Sequence, residues 1–299
     1  MAKGSPMAIG IDVTLDKIID TNFKVDVPKY CKVCGAEALY FDKVDLGRSC
    51  HEEPYPLGRY GIDIPYYQCL ECRFTFTTAF DRFSTEQWRR FIYNRDYVKV
   101  DPAFIEERPS ANAFVTEAYL RAVGGKPVGL DFGGGDGLAA SILRSRGWIY
   151  DSVDPFNGQD HVSPHGLYDF CTAFEVFEHV VQPREALADL RRRCSAERAL
   201  ILIGTNVLDG MISHRTGLDW WYAGPRNGHI SLFSRAALKR LAADAGLHYL
   251  SLGRNLHFLS HGYAAEDVFR IAVEGKVRRL LAGGPTVTPE PRPRVHSSA

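Results

Sequence analysis

Three groups of residues have types and spacings that can do chemistry. The first runs from Val128 to Asp154. A short apolar run closes on Asp131, Gly133, Gly135 and Gly137 then alternate, and Asp154 lies 17 residues past Gly137. Alternating glycines let the backbone turn sharply and let a ligand approach it closely. Leu138-Ala139-Ala140-Ser141-Ile142-Leu143 reads as a helix whose N-terminus faces that ligand. An acid at the position of Asp154 is spaced to accept hydrogen bonds from ribose hydroxyls. Dinucleotide folds hold a pyrophosphate with G-x-G-x-x-G, whereas this turn is G-x-G-x-G with Asp131 beside it. A carboxylate there repels a pyrophosphate and pairs with an ammonium or a sulfonium. S-adenosylmethionine carries both cations and no phosphate.

The second group is Cys31-x-x-Cys34 and Cys69-x-x-Cys72, separated by 34 residues. Each pair forms a turn that points two thiolates at one place, and two such turns complete a tetrahedral site for Zn2+. Four thiolates leave no open position, so the zinc is expected to be structural. Cys50 and His51 stand nearby as substitute ligands. A redox dithiol needs a helix after its first cysteine, which Lys32-Val33-Cys34-Gly35 does not favour.

The third group is polar and lies later in the chain. Phe170 to Phe174 reads as a buried parallel strand, followed at its carboxyl end by Glu175, Glu178 and His179. Beyond it, Asp219 to Ile230 gathers two tryptophans, Tyr222, Arg226 and His229 in a Gly/Pro-containing loop. Loops at that end of a sheet carry specificity. The aromatic faces suit stacking on a sugar or base, and Arg226 suits a phosphate or carboxylate. His179 and His229 are both candidates for the base, since imidazole titrates near neutrality.

From Val128 to Ser260 the chain resembles the class I S-adenosylmethionine-dependent methyltransferases, on the strand-acid-G-x-G-x-G turn, Asp154 and the phrase ending Glu178-His179. The resemblance implies a doubly wound, seven-stranded Rossmann-like α/β sheet, joined here to a small zinc-binding β unit and a helical lid. It implies donor contacts at Asp131, Gly133, Gly135, Gly137, Asp154, Pro155, Phe174, Glu175 and Glu178. A third-strand acid for the adenine amino group has only Asp160 as its candidate. Tyr93 and Tyr97, on the lid, would face the methyl acceptor. His229, His179, Tyr97 and Glu175 are the catalytic candidates. The four-cysteine unit makes the chain similar to methyltransferases of sugars, sugar nucleotides, glycans and related natural products, acting on oxygen or carbon. Sugar C-methyltransferases carry Glu before the second histidine, whereas this chain carries Gly228. The rival readings are an NAD-dependent or nucleotide-sugar oxidoreductase on a similar sheet, and a zinc adaptor with a vestigial cofactor fold.

The rest of the chain must position these groups. Residues 1–27 form a lead with no assigned role, 28–80 the zinc unit, 81–124 the lid and 125–262 the cofactor domain, and 263–299 are a helix and a Pro/Thr/Ser-rich tail expected to be disordered. Ser84 with Gln87 three residues on signals a helix start, with Trp88, Phe91 and Ile92 on its apolar face. Ala199 to Asn206 is apolar enough for a strand buried on both faces. His248–Leu252 and Asn255–Leu259 read as a closing hairpin, and Ala264–Leu281 as a helix. Lys plus Arg and Asp plus Glu number 36 each. That balance argues against a general nucleic-acid binder. No apolar run reaches the roughly 20 residues of a membrane span. With no signal-like apolar stretch at its start, the chain is expected to be cytoplasmic and to act on a small molecule.

Overall fold

The computed structural model describes residues 19, 27–51, 53–156 and 166–283. Strands β1 (Lys29–Tyr30), β2 (Glu37–Asp45), β3 (Asp63–Cys69) and β4 (Thr75–Phe76) come first. Helices α1 (Thr85–Phe91), α2 (Tyr97–Val100) and α3 (Glu107–Val123) follow. Next are β5 (Gly129–Phe132), α4 (Leu138–Ser145), β6 (Tyr150–Val153), β7 (Phe170–Phe174), α5 (Pro183–Arg193) and β8 (Ala199–Gly204). The chain ends with β9 (Ser231–Leu232), α6 (Arg235–Asp244), β10 (His248–Ser251), β11 (Leu256–His261) and α7 (Ala265–Leu281).

The main sheet has the order β10-β11-β8-β7-β5-β6. β6, β5, β7 and β8 are parallel, β11 runs antiparallel to β8, and β10, antiparallel to β11, points the same way as the first four. Its alternation is two-sided. Phe170, Phe174, Leu200 and Leu202 enter the core under α3, α4 and α7, while Cys171, Ala173, Ile201 and Ile203 enter the core on the opposite face. The order reverses between β5 and β7, so a crevice opens at their carboxyl ends, where open α/β sheets bind ligands. Six strands are present among the described residues, one short of the seven expected. The expected third strand and Asp160 fall on residues 157–166, and residues 157–165 lie outside the described ones.

The cysteine-rich segment departs from expectation in a more instructive way. It is not a self-contained insertion. Its strands form a second sheet, β1-β2-β3-β4-β9, whose last member comes from the far end of the chain. Thr75 and Phe76 of β4 pair with Leu232 and Ser231 of β9. The reason is apolar surface. Phe74 and Phe76 pack with Phe177 and Phe233, so this unit buries one side on the main sheet. A second core, with Ile64, Tyr66, Phe80, Trp88, Trp220 and Tyr222, ties it to the lid.

The lid begins as its sequence signals. Ser84 Oγ accepts from the Gln87 amide at 3.2 Å, and Gln87 Oε1 accepts from the Ser84 amide at 2.7 Å. Such a reciprocal cap contributes on the order of 1 kcal/mol. Trp88 is the buried residue of this short helix, stacked on Phe80 and Tyr93.

Candidate functional site

A cleft of about 590 Å³ opens where β5 and β7 diverge, roofed by the lid. One wall is backbone. Gly133, Gly134 and Gly135 run past the carboxyl end of β5, and Leu138 and Ala139 of α4 continue the wall. Gly133 has φ +75°, and a Cβ there would stand 2.4 Å from Val176 Cγ2. Only glycine fits that turn. Asp154, one residue past β6, braces it by accepting from the Gly135 amide at 3.0 Å and the Phe156 amide at 2.7 Å. Asp131 is buried, and its Oδ1 accepts from Thr172 Oγ1 at 2.8 Å. Burial, reinforced by Asp154, raises the Asp131 carboxyl to about 6.

The opposite wall is made of side chains from three segments. Tyr93, Asn94 and Tyr97 come from the lid, Asp101 and Arg108 from the turn into α3, and Glu175, Val176 and His179 from the end of β7. Glu175 has φ +53°, an uncommon conformation for a residue with a side chain. Tyr93 Oη lies 3.1 Å from His179 Nδ1. Tyr97 donates to the Asn227 carbonyl at 3.3 Å. Arg108 grips Asp101 with both terminal nitrogens, at 2.6 and 2.7 Å. This fork was not singled out from sequence. The only signal for it is an Asp-Pro step seven residues before an arginine.

Of the sequence-predicted residues, Asp131, Gly133, Gly135, Asp154, Pro155, Phe174, Glu175, Tyr97 and His179 all border this cleft. Gly137, Glu178 and His229 do not. Gly137 instead caps α4 with φ +74°. Glu178 is fully buried behind the wall, where its Oε1 accepts from the Tyr222 hydroxyl and its Oε2 has no hydrogen-bond partner among the described residues. Burial, with Glu175 nearby, holds this carboxyl well above the usual range.

His229 stands in the same inner layer. Its Nδ1 is 2.8 Å from the Tyr222 carbonyl and 3.3 Å from Cys50 Sγ. Its own carbonyl accepts from Tyr66 Oη at 2.7 Å. Its ring meets that of His179 edge to face at 4.7 Å between centroids. Burial lowers His229 to about 3. Burial and the neighbouring His229 also hold His179 well below its ordinary value, so both rings are neutral at neutral pH. Gly228, with φ +91°, packs against His179 and Tyr93. A Cβ there would lie 3.0 Å from both His179 Nδ1 and Tyr93 Oη. This geometry accounts for glycine at that position.

The loop from Asp219 to Ile230 corrects a sequence expectation. Its aromatics and arginine do not face an acceptor. Trp220, Tyr222, Arg226 and Asn227 are buried. Arg226 donates to the Ile92 carbonyl at 2.8 Å and to Asn94 Oδ1 at 3.2 Å. The Asn227 side chain accepts from the Cys50 amide at 2.8 Å. Pairing of β4 with β9 pulls the loop under the lid, so it holds the site together from behind.

The four cysteines are brought together apart from the cleft. Cys31 and Cys72 Sγ are 3.6 Å apart, and Cys34 and Cys69 Sγ are 3.4 Å apart. All four sulfurs lie within 4.8 Å of one another. Zinc–sulfur bonds of about 2.3 Å at tetrahedral angles need sulfurs roughly 3.8 Å apart. The amides of Val33 and Cys34 point at Cys31 Sγ, and the Cys72 amide at Cys69 Sγ. Hydrogen bonding from Cys72 lowers Cys31 to about 5, while burial raises Cys69 to about 11. Four thiolates this close need a cation to ionise together, so the donor set fits a bound Zn2+.

Residues 103–252 match the family model described as a methyltransferase domain. That is 150 of the 299 residues, and the chain belongs to this family. No curated protein matches the chain. Among solved structures, it is similar to the plantazolicin methyltransferase BpumL in complex with a triazolic desmethylPZN analog and SAH. The identity is 16%, the match covers 67% of this chain and 90% of that one, and the TM-score is 0.44. Similarity also extends to a Thermotoga maritima SAM-dependent methyltransferase, a possible histamine N-methyltransferase, at 16% identity, 59% and 98% coverage and TM-score 0.36. A third is the Synechocystis magnesium protoporphyrin IX methyltransferase with bound SAH, at 16% identity, 60% and 94% coverage and TM-score 0.37.

Proposed function

We propose that the protein transfers the methyl group of S-adenosylmethionine to a small polar acceptor, a sugar, sugar nucleotide or glycan-related natural product, at oxygen or carbon. The observation that carries this reading is the single cleft in which Asp131, the glycine turn and Asp154 face Tyr93, Tyr97, Glu175 and His179. Asp154, already fixed by two amides, has lone pairs left for the ribose hydroxyls. The buried Asp131 carboxyl, raised to about 6, is largely ionised at neutral pH, and its charge there favours the donor's ammonium or sulfonium and opposes a pyrophosphate.

The sulfonium is already a strong electrophile. The protein has to align the acceptor and remove one proton. His179 is the group placed for that step. It is neutral, it lines the cleft, and Tyr93 fixes its Nδ1. We assign His229 and Glu178, neither of which borders the cleft, to the layer that holds His179 in place. Tyr97 and Glu175 border the acceptor. Cys31, Cys34, Cys69 and Cys72 hold a structural zinc, which anchors the sheet that carries β9. Calorimetric titration with S-adenosylmethionine and with NAD tests the donor. Tight binding of NAD, or none of S-adenosylmethionine, overturns the assignment. Mass spectrometry of products from a panel of hydroxylated acceptors tests the acceptor class.

A further inference from the structure

Helix α7 is apolar on two opposite sides. Val268, Ile271, Ala272 and Gly275 are buried toward the protein. Gly275 packs so tightly on the Tyr119 ring that a Cβ would stand 2.1 Å from it, which fixes the helix on α3. The other side carries Phe269, Val273, Val277 and Leu280, exposed by 53, 39, 46 and 61%, and Leu281 follows at 84%. These are five of the fourteen exposed large hydrophobic side chains among the described residues. At about 100° per residue, Phe269, Val273, Val277 and Leu280 share one stripe about 80° wide on a helix about 25 Å long. Scattered exposed apolar residues need no explanation, but a continuous stripe does.

We infer that this stripe is the seat of a second copy of the same chain, with the two α7 helices antiparallel and a twofold axis at Val273. Charge selects this occupant and its direction. Before Val273 the helix carries Glu266, Asp267 and Arg270, a sum of −1. After it come Glu274, Lys276, Arg278 and Arg279, a sum of +2. An antiparallel pair sets the negative half of each helix against the positive half of the other and opposes the two helix dipoles. A parallel pair sets like against like. About the axis, Phe269 of one copy meets Val277 of the other, and Val273 meets its own equivalent, as an isologous contact requires. A groove of about 450 Å³ beside Phe114, Ala118, Arg121 and Leu281 then receives the first turn of the other copy's α7. Two such helices and grooves form an interface at the small end of the specific range, so association is expected to be reversible and to depend on concentration.

The test uses the full-length protein and needs no ligand. Light scattering coupled to size exclusion, over rising protein concentration, is expected to show a shift from monomer to dimer. Val273→Glu is expected to abolish that shift while leaving the thermal midpoint unchanged. Under mild oxidation Val273→Cys is expected to form a disulfide-linked dimer that the wild-type chain, treated alike, does not form. Phe269→Cys is expected to cross-link to Val277→Cys after mixing, and poorly to itself. A wild-type protein that stays monomeric, a dimer that survives Val273→Glu, or Phe269→Cys linking to itself as well as Val273→Cys does, overturns the proposal.

Discussion

The two walls of the cleft are built by different means. The wall at Asp131, the glycine turn and Asp154 is made from consecutive backbone at the ends of two adjacent strands, and hydrogen bonds within the segment preset it. The facing wall is made from side chains that meet only after the lid, the end of β7 and the loop before β9 have packed together. The first wall has few ways to be wrong, because strand pairing dictates it. The second depends on two cores and a second sheet, so distant changes can alter it. On the proposed function, the donor needs only the first kind of wall, and choice of acceptor and loss of a proton fall to the second.

The sharpest way to break this comparison is at His179. Replacement by Asn is expected to lower turnover roughly 100- to 10,000-fold, the usual worth of a general base, with donor affinity held within about twofold. Because surrounding groups hold the ring below its ordinary pKa, the acid limb of the rate profile is expected well below pH 6.5. Turnover near wild type would move the base to Tyr97 or Glu175.

Changes in the first wall should do the reverse. Asp154→Ala frees two amides and removes the ribose partner, and Gly135→Val puts a branched side chain at φ +56° on the cleft. Each is expected to weaken donor binding by about 10- to 100-fold or more in calorimetry. Unchanged affinity in both would show that the turn does not hold the donor.

His229→Asn asks whether the inner layer acts through position. We expect a loss of turnover smaller than at His179, about tenfold, together with a lower thermal midpoint. An equal loss of turnover with an unchanged midpoint would instead make His229 the base. Cys69→Ser should remove one zinc per chain, measured by metal analysis, and lower the thermal midpoint by about 5 °C or more. Full stability without metal would contradict a structural zinc.

The smallest effect concerns acidity. The Asp131 carboxyl, raised to about 6, must be ionised to attract a cation. Donor affinity is therefore expected to hold above pH 6 and to fall about tenfold per unit below it. On stability the buried histidines act in the same direction, whereas the raised Asp131 and Glu178 carboxyls favour the folded state as pH falls. His229 is lowered to about 3 and His257 to about 4. The unfolded chain binds their protons from about pH 6.5 downward, so each lowers unfolding free energy by up to about 1.4 kcal/mol per pH unit. NMR titration of the two rings from pH 7 to about pH 4 checks this, and proton uptake near pH 6.5 would show that they are not held neutral.

What could be read in advance follows the same division. β7, expected from Phe170 to Phe174, has those bounds, and the Ser84–Gln87 cap forms as its local signal requires. The four cysteines converge because their spacing is a local property of two turns. Arg226 and Trp220 were misjudged because a polar-aromatic loop looks alike in sequence whether it faces a ligand or a neighbouring sheet. Nothing near Ser231-Leu232 announces that its partner is Thr75-Phe76. The Asp101–Arg108 fork escaped notice for a related reason, since no common spacing rule joins an acid before one turn to a guanidinium after it.

The place of β9 at the edge of the N-terminal sheet also bears on how the chain is made. Its partner β4 ends at Phe76, and Ser231 is synthesised 155 residues later. At about 5–20 residues per second, the ribosome takes roughly 8–30 s to cover that span. Throughout that time the edge of β4 and the aromatic face around Phe74 and Phe76 await their cover. The cysteine-rich unit thus emerges well before β9 and is completed only after it. Its early hazard is pairing with the wrong strand, and beside the local pairing of β1 to β4, metal capture by the four cysteines would help to organise it before the rest arrives.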